Sequence, residues 1–243
     1  ATSDKTTIPG YLQQLLNEKD FGFDIEVINS GIQGADSNTE LKFIEQKLVT
    51  FSPDLVIVYD GWNDLRDSLS SLKQTSTVKN STLFDDFTNT IWYSISKYRT
   101  IQVIQKFTYY SQDTDWEHRV IYEHNYDEIH EKIKIWESNM NEICNSSDFQ
   151  SLIILQPISG SSNRTSTEFE SMKYLQNDGK NMNNSLNLYS EKLQKLNCKN
   201  TADFTNVFDN VDGPIFYDEG HVTDRGNLII AKKLFELLAT NIS

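Results

Sequence analysis

The chain has 243 residues, a formal net charge of −13 and a hydrophobic fraction of 37%. This length suits one α/β domain with a sizeable core. The acidic charge argues against nucleic acid and anionic membranes as partners, because both would repel the protein. A mean hydropathy of −0.52 and the absence of a long apolar run argue against a transmembrane segment. We therefore expect a ligand that is neutral or small.

The chain opens on a loop and an amphipathic helix. Pro9 lies near the predicted helix start, and Leu12 and Leu16 follow at helical spacing. No strand is predicted ahead of this helix.

Four strands are predicted downstream. Residues 23–29 alternate between apolar and polar side chains, and residues 53–61 and 151–158 are near-continuous apolar runs typical of buried parallel strands. Residues 201–209 form a weaker fourth candidate. Apolar stripes at helical spacing separate the strands, including those at 84–98, 129–143 and 182–196.

Alternating strands and helices predict an α/β fold with a central parallel sheet, whose ligands bind at the carboxyl ends of the strands. No glycine-rich dinucleotide or P-loop pattern follows a strand. Residues from about 65 to 145 form a long helical insertion between the second and third apolar strands. That insertion is a candidate lid or pocket wall, and core packing is the simpler role for its aromatic side chains, which include Trp92, Tyr93, Tyr109, Tyr110 and Trp116.

Polar residues and glycines follow the predicted strands. Gly31 and Gly34 follow the first, Asn63 follows the second, and Asp218 and His221 precede the last helix. A parallel sheet would gather them at one edge. A glycine N–H and an asparagine amide can form an oxyanion hole, and a carboxylate beside an imidazole can orient a general base. This set of groups indicates acyl transfer.

The ordered set of motifs resembles the SGNH (GDSL-type) hydrolases, whose blocks run Ser, Gly, Asn and Asp-x-x-His. "NSGIQGADS" is similar to the glycine block, with Gly34 as the oxyanion glycine. "VIVYDGWNDL" is similar to the asparagine block, with Asn63 as the second donor. "FYDEGHVTDRGNLIIA" resembles the closing block, with Asp218 and His221.

The resemblance implies a flavodoxin-like three-layer α/β/α fold forming a single domain over residues 1–243. It also implies ester hydrolysis through an acyl-enzyme, with His221 as base, Asp218 as its orienting partner, and no metal or organic cofactor. Small acyl esters, including O-acetyl groups on carbohydrate, are the expected substrates. Transfer of the acyl group to a sugar instead of water stays open, as does the oligomeric state.

The nucleophile block of the family has no match in the sequence. That block forms the first, central strand and a Gly-x-Ser turn, so we expect both to lie upstream of Ala1. Ser3, which has no preceding strand, and Ser161, whose loop belongs elsewhere in the family pattern, are weaker candidates. The rival hypothesis is a domain that lacks the nucleophile and binds a ligand or carbohydrate without cleaving it.

The cysteines and the remaining histidines do not form a metal-binding pattern. Cys144 and Cys198 form either a disulfide or two free thiols, and no Cys/His cluster indicates zinc. The six-residue spacing of His118, His124 and His130 does not place them on one helix face. The two cysteines, with the Asn, Ser and Thr richness, favour an extracellular or cell-surface protein over a cytoplasmic one.

Overall fold

The computed structural model describes residues 3–70, 126–176 and 179–240. Strands β1 to β3 span Leu55–Asp60, Gln150–Leu155 and Thr201–Asp203. Helices α1 to α7 span Ile8–Asn17, Ser37–Gln46, Trp62–Ser70, Tyr126–Cys144, Glu168–Gln176, Gly179–Leu193 and Asp224–Ala239, and short 3₁₀ helices span Asp4–Thr6 and Leu48–Phe51. Within the described residues, no helix is both long and apolar enough to cross a membrane.

The three strands form a parallel sheet in the order β1-β2-β3. Leu55 is aligned with Gln150 and Asp60 with Leu155, while Ile153 is aligned with Thr201. The central strand, β2, is buried from Ser151 onward, as its continuous apolar sequence predicts.

Two hydrophobic clusters cover the two faces of this sheet. Ile153 and Leu155 point into a cluster with Trp136 of α4 and Tyr189 of α6. Ile154 points to the opposite face, into a cluster supplied largely by α1 and α7. Successive side chains of a strand face opposite sides, so β2 contributes to both clusters. The predicted three-layer α/β/α architecture is confirmed.

The prediction of a strand at residues 23–29 is wrong. The segment belongs to no strand, and its backbone pairs with a side chain of α1. Gln13 Oε1 accepts from Val27 N–H at 2.6 Å, and Gln13 Nε2 donates to the Ile25 carbonyl at 2.9 Å. Ile25 and Val27 still pack against the second cluster. The alternation therefore reports burial of one side of the segment, which occurs here without a neighbouring strand.

The fourth predicted strand is shorter than expected. It covers Thr201–Asp203, and residues 205–210 form turns. Phe204 and Phe208 are buried, and the ring of Phe208 packs edge-on against Phe216 at 5.5 Å. The predicted strand was too long because Phe204 and Phe208 are buried in a turn, and in sequence they resemble the buried residues of a strand.

The predicted insertion is described only at its two ends, which are α3 and the helix α4. Residues 71–125 lie outside the described residues. They include the 84–98 stripe, the aromatic candidates, His118 and His124.

A disulfide connects Cys144, at the end of α4, to Cys198, ahead of β3. Of the two alternatives that the sequence left open, the structure has the disulfide. The bond ties a helix of the first cluster to the edge strand of the sheet.

Candidate active site

Gly34 lies in a tight turn at the start of the site. Ala35 N–H donates to the Ile32 carbonyl at 3.3 Å, and Gly34 has φ = +72°. A positive φ at the third position of a hydrogen-bonded turn favours glycine. A Cβ on Gly34 would meet no atom within 4 Å, so the backbone conformation rather than lack of space requires glycine.

Asn63 is held beside this turn by a hydrogen bond. Gly61, with φ = +120°, makes the sharp turn from β1 into α3, and a Cβ on it would lie 2.5 Å from Leu155 Cδ1. The turn places Asn63 in the first turn of α3, where its Nδ2 donates to the Ala35 carbonyl at 2.7 Å. The glycine and asparagine motifs therefore meet at the carboxyl end of β1, as predicted for a parallel sheet.

Asp64 forms a second, buried link between these motifs. Its carboxylate accepts from Ser37 N–H at 2.8 Å and from Ser37 Oγ at 2.6 Å. Asn139 Nδ2 of α4 donates to the same Ser37 hydroxyl at 3.0 Å. The starts of α2 and α3 are thus fixed to each other and to α4.

A group of buried carboxyls lies below this junction. Asp60, at the end of β1, is 1% exposed, and its Oδ2 accepts from Trp136 Nε1 at 3.0 Å. Burial, followed by repulsion from Asp64, raises the pKa of Asp60 well above its usual range. Burial also raises the pKa values of Glu40 and Asp64. The interior of the site therefore favours protonated carboxyls.

Asp218 and His221 occupy the tip of a short hairpin. Phe216 and Val222 form an antiparallel bridge, and Tyr217 N–H donates to the His221 carbonyl at 2.8 Å. The tip turns back on itself because Asp218 Oδ1 accepts from the backbone N–H of Gly220 and of His221, at 3.0 and 2.8 Å.

This turn also brings the carboxylate onto the imidazole. His221 Nδ1 lies 2.8 Å from Asp218 Oδ2 and 3.0 Å from Oδ1. Hydrogen bonding to a carboxylate assigns the proton of the neutral ring to Nδ1, which leaves Nε2 as the acceptor. The His221 side chain is 69% exposed, so Nε2 is open to a substrate.

The hairpin tip packs against α3. Trp62, next to Asn63, is 5% exposed, and a Cβ on Gly220 would lie 2.6 Å from its Nε1. On the far side of the tip, Ser159 N–H donates to the Glu219 carbonyl at 2.7 Å. The start of α3, which carries Asn63, therefore contacts both the Gly34 turn and the hairpin that carries Asp218 and His221.

The chain matches a known protein family over most of its length. The family of GDSL-like lipases and acylhydrolases matches residues 1–234. The chain belongs to this family. Its membership supports a hydrolase that acts on esters, and confirms the resemblance found in the motifs.

Solved structures support the same fold for this GDSL-like protein. A crystal structure of an acetyl xylan esterase, AlAXEase, superimposes with a TM-score of 0.55 at 16% identity, covering 96% of this chain and 91% of that chain. A likeness at this identity concerns the fold. A search of curated protein sequences found no significant match.

The two serines considered as weaker nucleophile candidates are hydrogen-bonded elsewhere in this GDSL-like protein. Ser161 Oγ lies within 2.7 Å of the Thr205 carbonyl and 2.8 Å of the Ile158 carbonyl. Ser3 Oγ pairs with Thr6 Oγ1 at 3.3 Å. In the described part of the chain, the His221 ring hydrogen-bonds to Asp218 alone.

Sequence reasoning missed two supporting residues of the GDSL-like site. Trp62 and Asp64 flank Asn63 within "GWNDL". An acidic residue directly inside a helix start was the available signal for Asp64. No sequence pattern pairs Trp62 with a glycine 158 positions later, since that contact depends on the tertiary fold.

Proposed function

We propose that the protein is a serine ester hydrolase of small acyl esters, with O-acetyl groups on carbohydrate as the first candidates. The observation that carries the proposal is the 2.8 Å contact between His221 Nδ1 and Asp218, on a hairpin that packs beside Asn63. Family membership supports ester hydrolysis. The acetyl xylan esterase among the solved structures supports the acetyl-carbohydrate substrate class.

In the proposed reaction, His221 Nε2 takes the proton from a serine hydroxyl as its oxygen attacks the ester carbonyl. Asp218 holds the Nδ1–H and stabilises the imidazolium. The Gly34 N–H and the Asn63 amide stabilise the oxyanion. His221 then returns the proton to the leaving alcohol. In the second half, His221 deprotonates a water that attacks the acyl-enzyme, which releases the acid and restores the serine.

The nucleophile of this proposal is a serine on a strand and turn that precede Ala1. The support comes from the free edge of β1. The Gln150 and Gln156 N–H groups donate to the Asp54 and Asp60 carbonyls, so the even-numbered residues pair with β2. The backbone groups of Leu55, Ile57 and Tyr59 face the other edge, which pairs with no strand among the described residues. A further parallel strand would satisfy them.

We further propose one domain over residues 1–243, with a helical insertion near 65–145. We place the protein outside the cell or at its surface. The disulfide between Cys144 and Cys198 supports this location, because disulfides persist in oxidising compartments.

The test is covalent labelling of the full native protein with a fluorophosphonate. We expect one adduct by intact mass, mapped to a serine peptide ahead of Ala1 and lost in His221→Ala. Hydrolysis of p-nitrophenyl esters from acetyl to octanoyl, and of acetylated xylan, would then define the acyl length and the substrate. The proposal predicts the fastest turnover on acetyl esters.

A ligand-binding domain without catalysis is the second candidate function. Among the described residues, the His221 ring hydrogen-bonds to Asp218 and to no serine hydroxyl, which favours this function. No adduct and no ester turnover, together with binding of acetylated xylan oligosaccharides, would establish this alternative and overturn the hydrolase. Labelling of Ser3 or Ser161 would overturn the proposed upstream nucleophile.

A further inference from the structure

A buried ion pair lies next to the hairpin that carries Asp218 and His221. The side chains of Arg164, in the loop after β2, and Glu170, in α5, are 2% and 1% exposed. Two nitrogens of the guanidinium donate to the two carboxylate oxygens at 3.2 and 3.3 Å. This two-pronged geometry fixes the direction of both side chains.

Glu170 uses its carboxylate to hold the base of the hairpin. Its Oε1 accepts from the backbone N–H groups of Ile215 and Phe216, at 2.9 Å each. Its Oε2 accepts from Thr167 N–H at 2.7 Å. Burial opposes the charge, but these N–H donors and Arg164 outweigh it and lower the pKa of Glu170 to about 2. The carboxylate is therefore ionised wherever the protein is folded near neutral pH.

Arg164 extends the same anchor upstream. Its Nε donates to the Val211 carbonyl at 3.1 Å, and its Nη2 donates to the Gly213 carbonyl. The two side chains thus bind four backbone groups between residues 211 and 216. These are the carbonyls of Val211 and Gly213 and the N–H groups of Ile215 and Phe216. The stretch leading into the hairpin has no regular helix or strand of its own to fix it.

The hairpin transmits this anchoring to its tip. Phe216 pairs with Val222, and the Ile215 carbonyl accepts from Thr223 N–H at 2.7 Å. Only Tyr217 separates Phe216 from Asp218, so a displacement of the base changes how the carboxylate meets the imidazole.

We propose that Arg164 and Glu170 are positioning residues that hold Asp218 and His221 in register for catalysis. The catalytic role of these residues rests on the proposed function. Their effect on the geometry of the hairpin does not depend on it. A buried ion pair that served stability alone would leave the His221 ring unaffected when altered without unfolding.

The test compares Glu170→Gln with the wild-type full-length protein by ¹⁵N NMR of the His221 ring. The ¹⁵N shifts of a neutral imidazole, recorded at alkaline pH, distinguish protonated Nδ1 from protonated Nε2. We expect the wild type to carry its proton on Nδ1. Glutamine removes one acceptor oxygen and presents N–H groups to backbone donors, so we expect a mixture of tautomers and a kcat lowered about 10- to 100-fold with little change in KM.

Glu137→Gln is the matched control. It neutralises Glu137, whose Oε2 lies 2.6 Å from Lys192 Nζ in a partly exposed ion pair between α4 and α6. We expect this variant to keep the wild-type tautomer and kcat. Arg164→Lys is the second test variant, since it keeps the charge but loses the two-pronged contact. If Glu170→Gln does not fold, Arg164→Lys decides the question with the same ring shifts.

A folded Glu170→Gln or Arg164→Lys with wild-type ring shifts would overturn the proposal. A wild type without esterase turnover would overturn the proposed function, yet the ring shifts would still decide whether the ion pair positions His221. The two failures are therefore distinguishable.

Discussion

The side-chain amide of Asn63 donates to the backbone carbonyl of Ala35 at 2.7 Å. This bond joins the two proposed oxyanion donors, because Ala35 directly follows Gly34. The turn and the first turn of α3 are thereby fixed relative to each other before a substrate binds. Donors that are already oriented need no reorganisation during the reaction, which is the main source of oxyanion stabilisation.

Asn63→Ala removes one of these donors. We expect kcat for acetyl ester hydrolysis to fall about 10²- to 10³-fold, with KM changed little, because the donor acts on charge that develops in the transition state. Asn141→Ala is the control, since it also removes an asparagine bond to backbone, in this case from Asn197 N–H at 2.7 Å. Equal kcat values for Asn63→Ala and Asn141→Ala would contradict the assignment.

Gly34→Ala tests the turn. Alanine at φ = +72° should destabilise the fold by about 1–2 kcal/mol through backbone strain. Gly22→Ala is a matched control, because Gly22 has φ = +79° and also has open space around its Cβ direction. Urea unfolding should show similar losses for both variants. Only Gly34→Ala should reduce kcat, and a similar reduction in Gly22→Ala would assign the effect to stability.

Asp218→Asn tests the orientation of the imidazole. The asparagine oxygen can still accept from Gly220 and His221 N–H, but its amide offers a donor to His221 Nδ1 and favours the wrong tautomer. We expect kcat to fall by up to about 10⁴-fold with the fold retained. Asp212→Asn, an exposed site on the same connection, makes the same charge change and should keep full activity. Retained activity in Asp218→Asn would remove Asp218 from the proposed mechanism.

Asp60→Asn tests the buried carboxyls. Because the folded-state pKa of Asp60 is raised above its ordinary value of 3.8, the folded protein keeps a proton that the unfolded chain releases. The contribution of Asp60 to the free energy of unfolding is therefore largest below about pH 3.8. It declines as the pH rises toward the raised pKa of Asp60 in the folded protein. Asparagine stays neutral and can still accept from Trp136 Nε1.

The stability advantage of Asp60→Asn should accordingly be small near pH 4 and larger at pH 8. Urea unfolding of both proteins at several pH values measures this difference. A difference that does not vary with pH would show that Asp60 ionises as easily in the folded protein as in the unfolded chain.

Replacement of the disulfide tests its contribution to stability. Cys144 and Cys198 are 54 residues apart, so their cross-link should stabilise the fold by about 4 kcal/mol on the chain-entropy model. Cys198→Ser with Cys144→Ser should lower the unfolding free energy by about that amount. A reductant should do the same to the wild type and nothing further to the double variant. A wild-type unfolding free energy that is the same with and without reductant would contradict this contribution.

The sequence predicted those features that depend on local order along the chain. The buried strand β2, predicted at 151–158 and found at Gln150–Leu155, the turn glycine Gly34 and the Asp-x-x-His tip all follow from neighbouring residues. The strand at 23–29 failed because alternation reports which side of a segment is buried. It does not report whether a neighbour supplies backbone partners, and here Gln13 does so.

The long-range supports of the site could not be predicted for a different reason. Glu170 holds Ile215 and Phe216 across about 45 positions, and nothing in "TSTEFES" marks that glutamate as buried. Trp62 and Gly220 are likewise in contact although they are far apart in the sequence. Such pairs are created when loops after separate strands converge, so they become visible only in three dimensions.

The contact of Trp62 with Gly220 also gives this protein an intrinsic optical reporter. The indole is 5% exposed and lies between the asparagine that would bind an oxyanion and the loop that bears His221. A shift of that loop would change the surroundings of this indole, so the difference in emission between the wild type and Trp62→Phe would report the shift separately from the other three tryptophans. Stopped-flow fluorescence could then time the loop's movement separately from the chemical step.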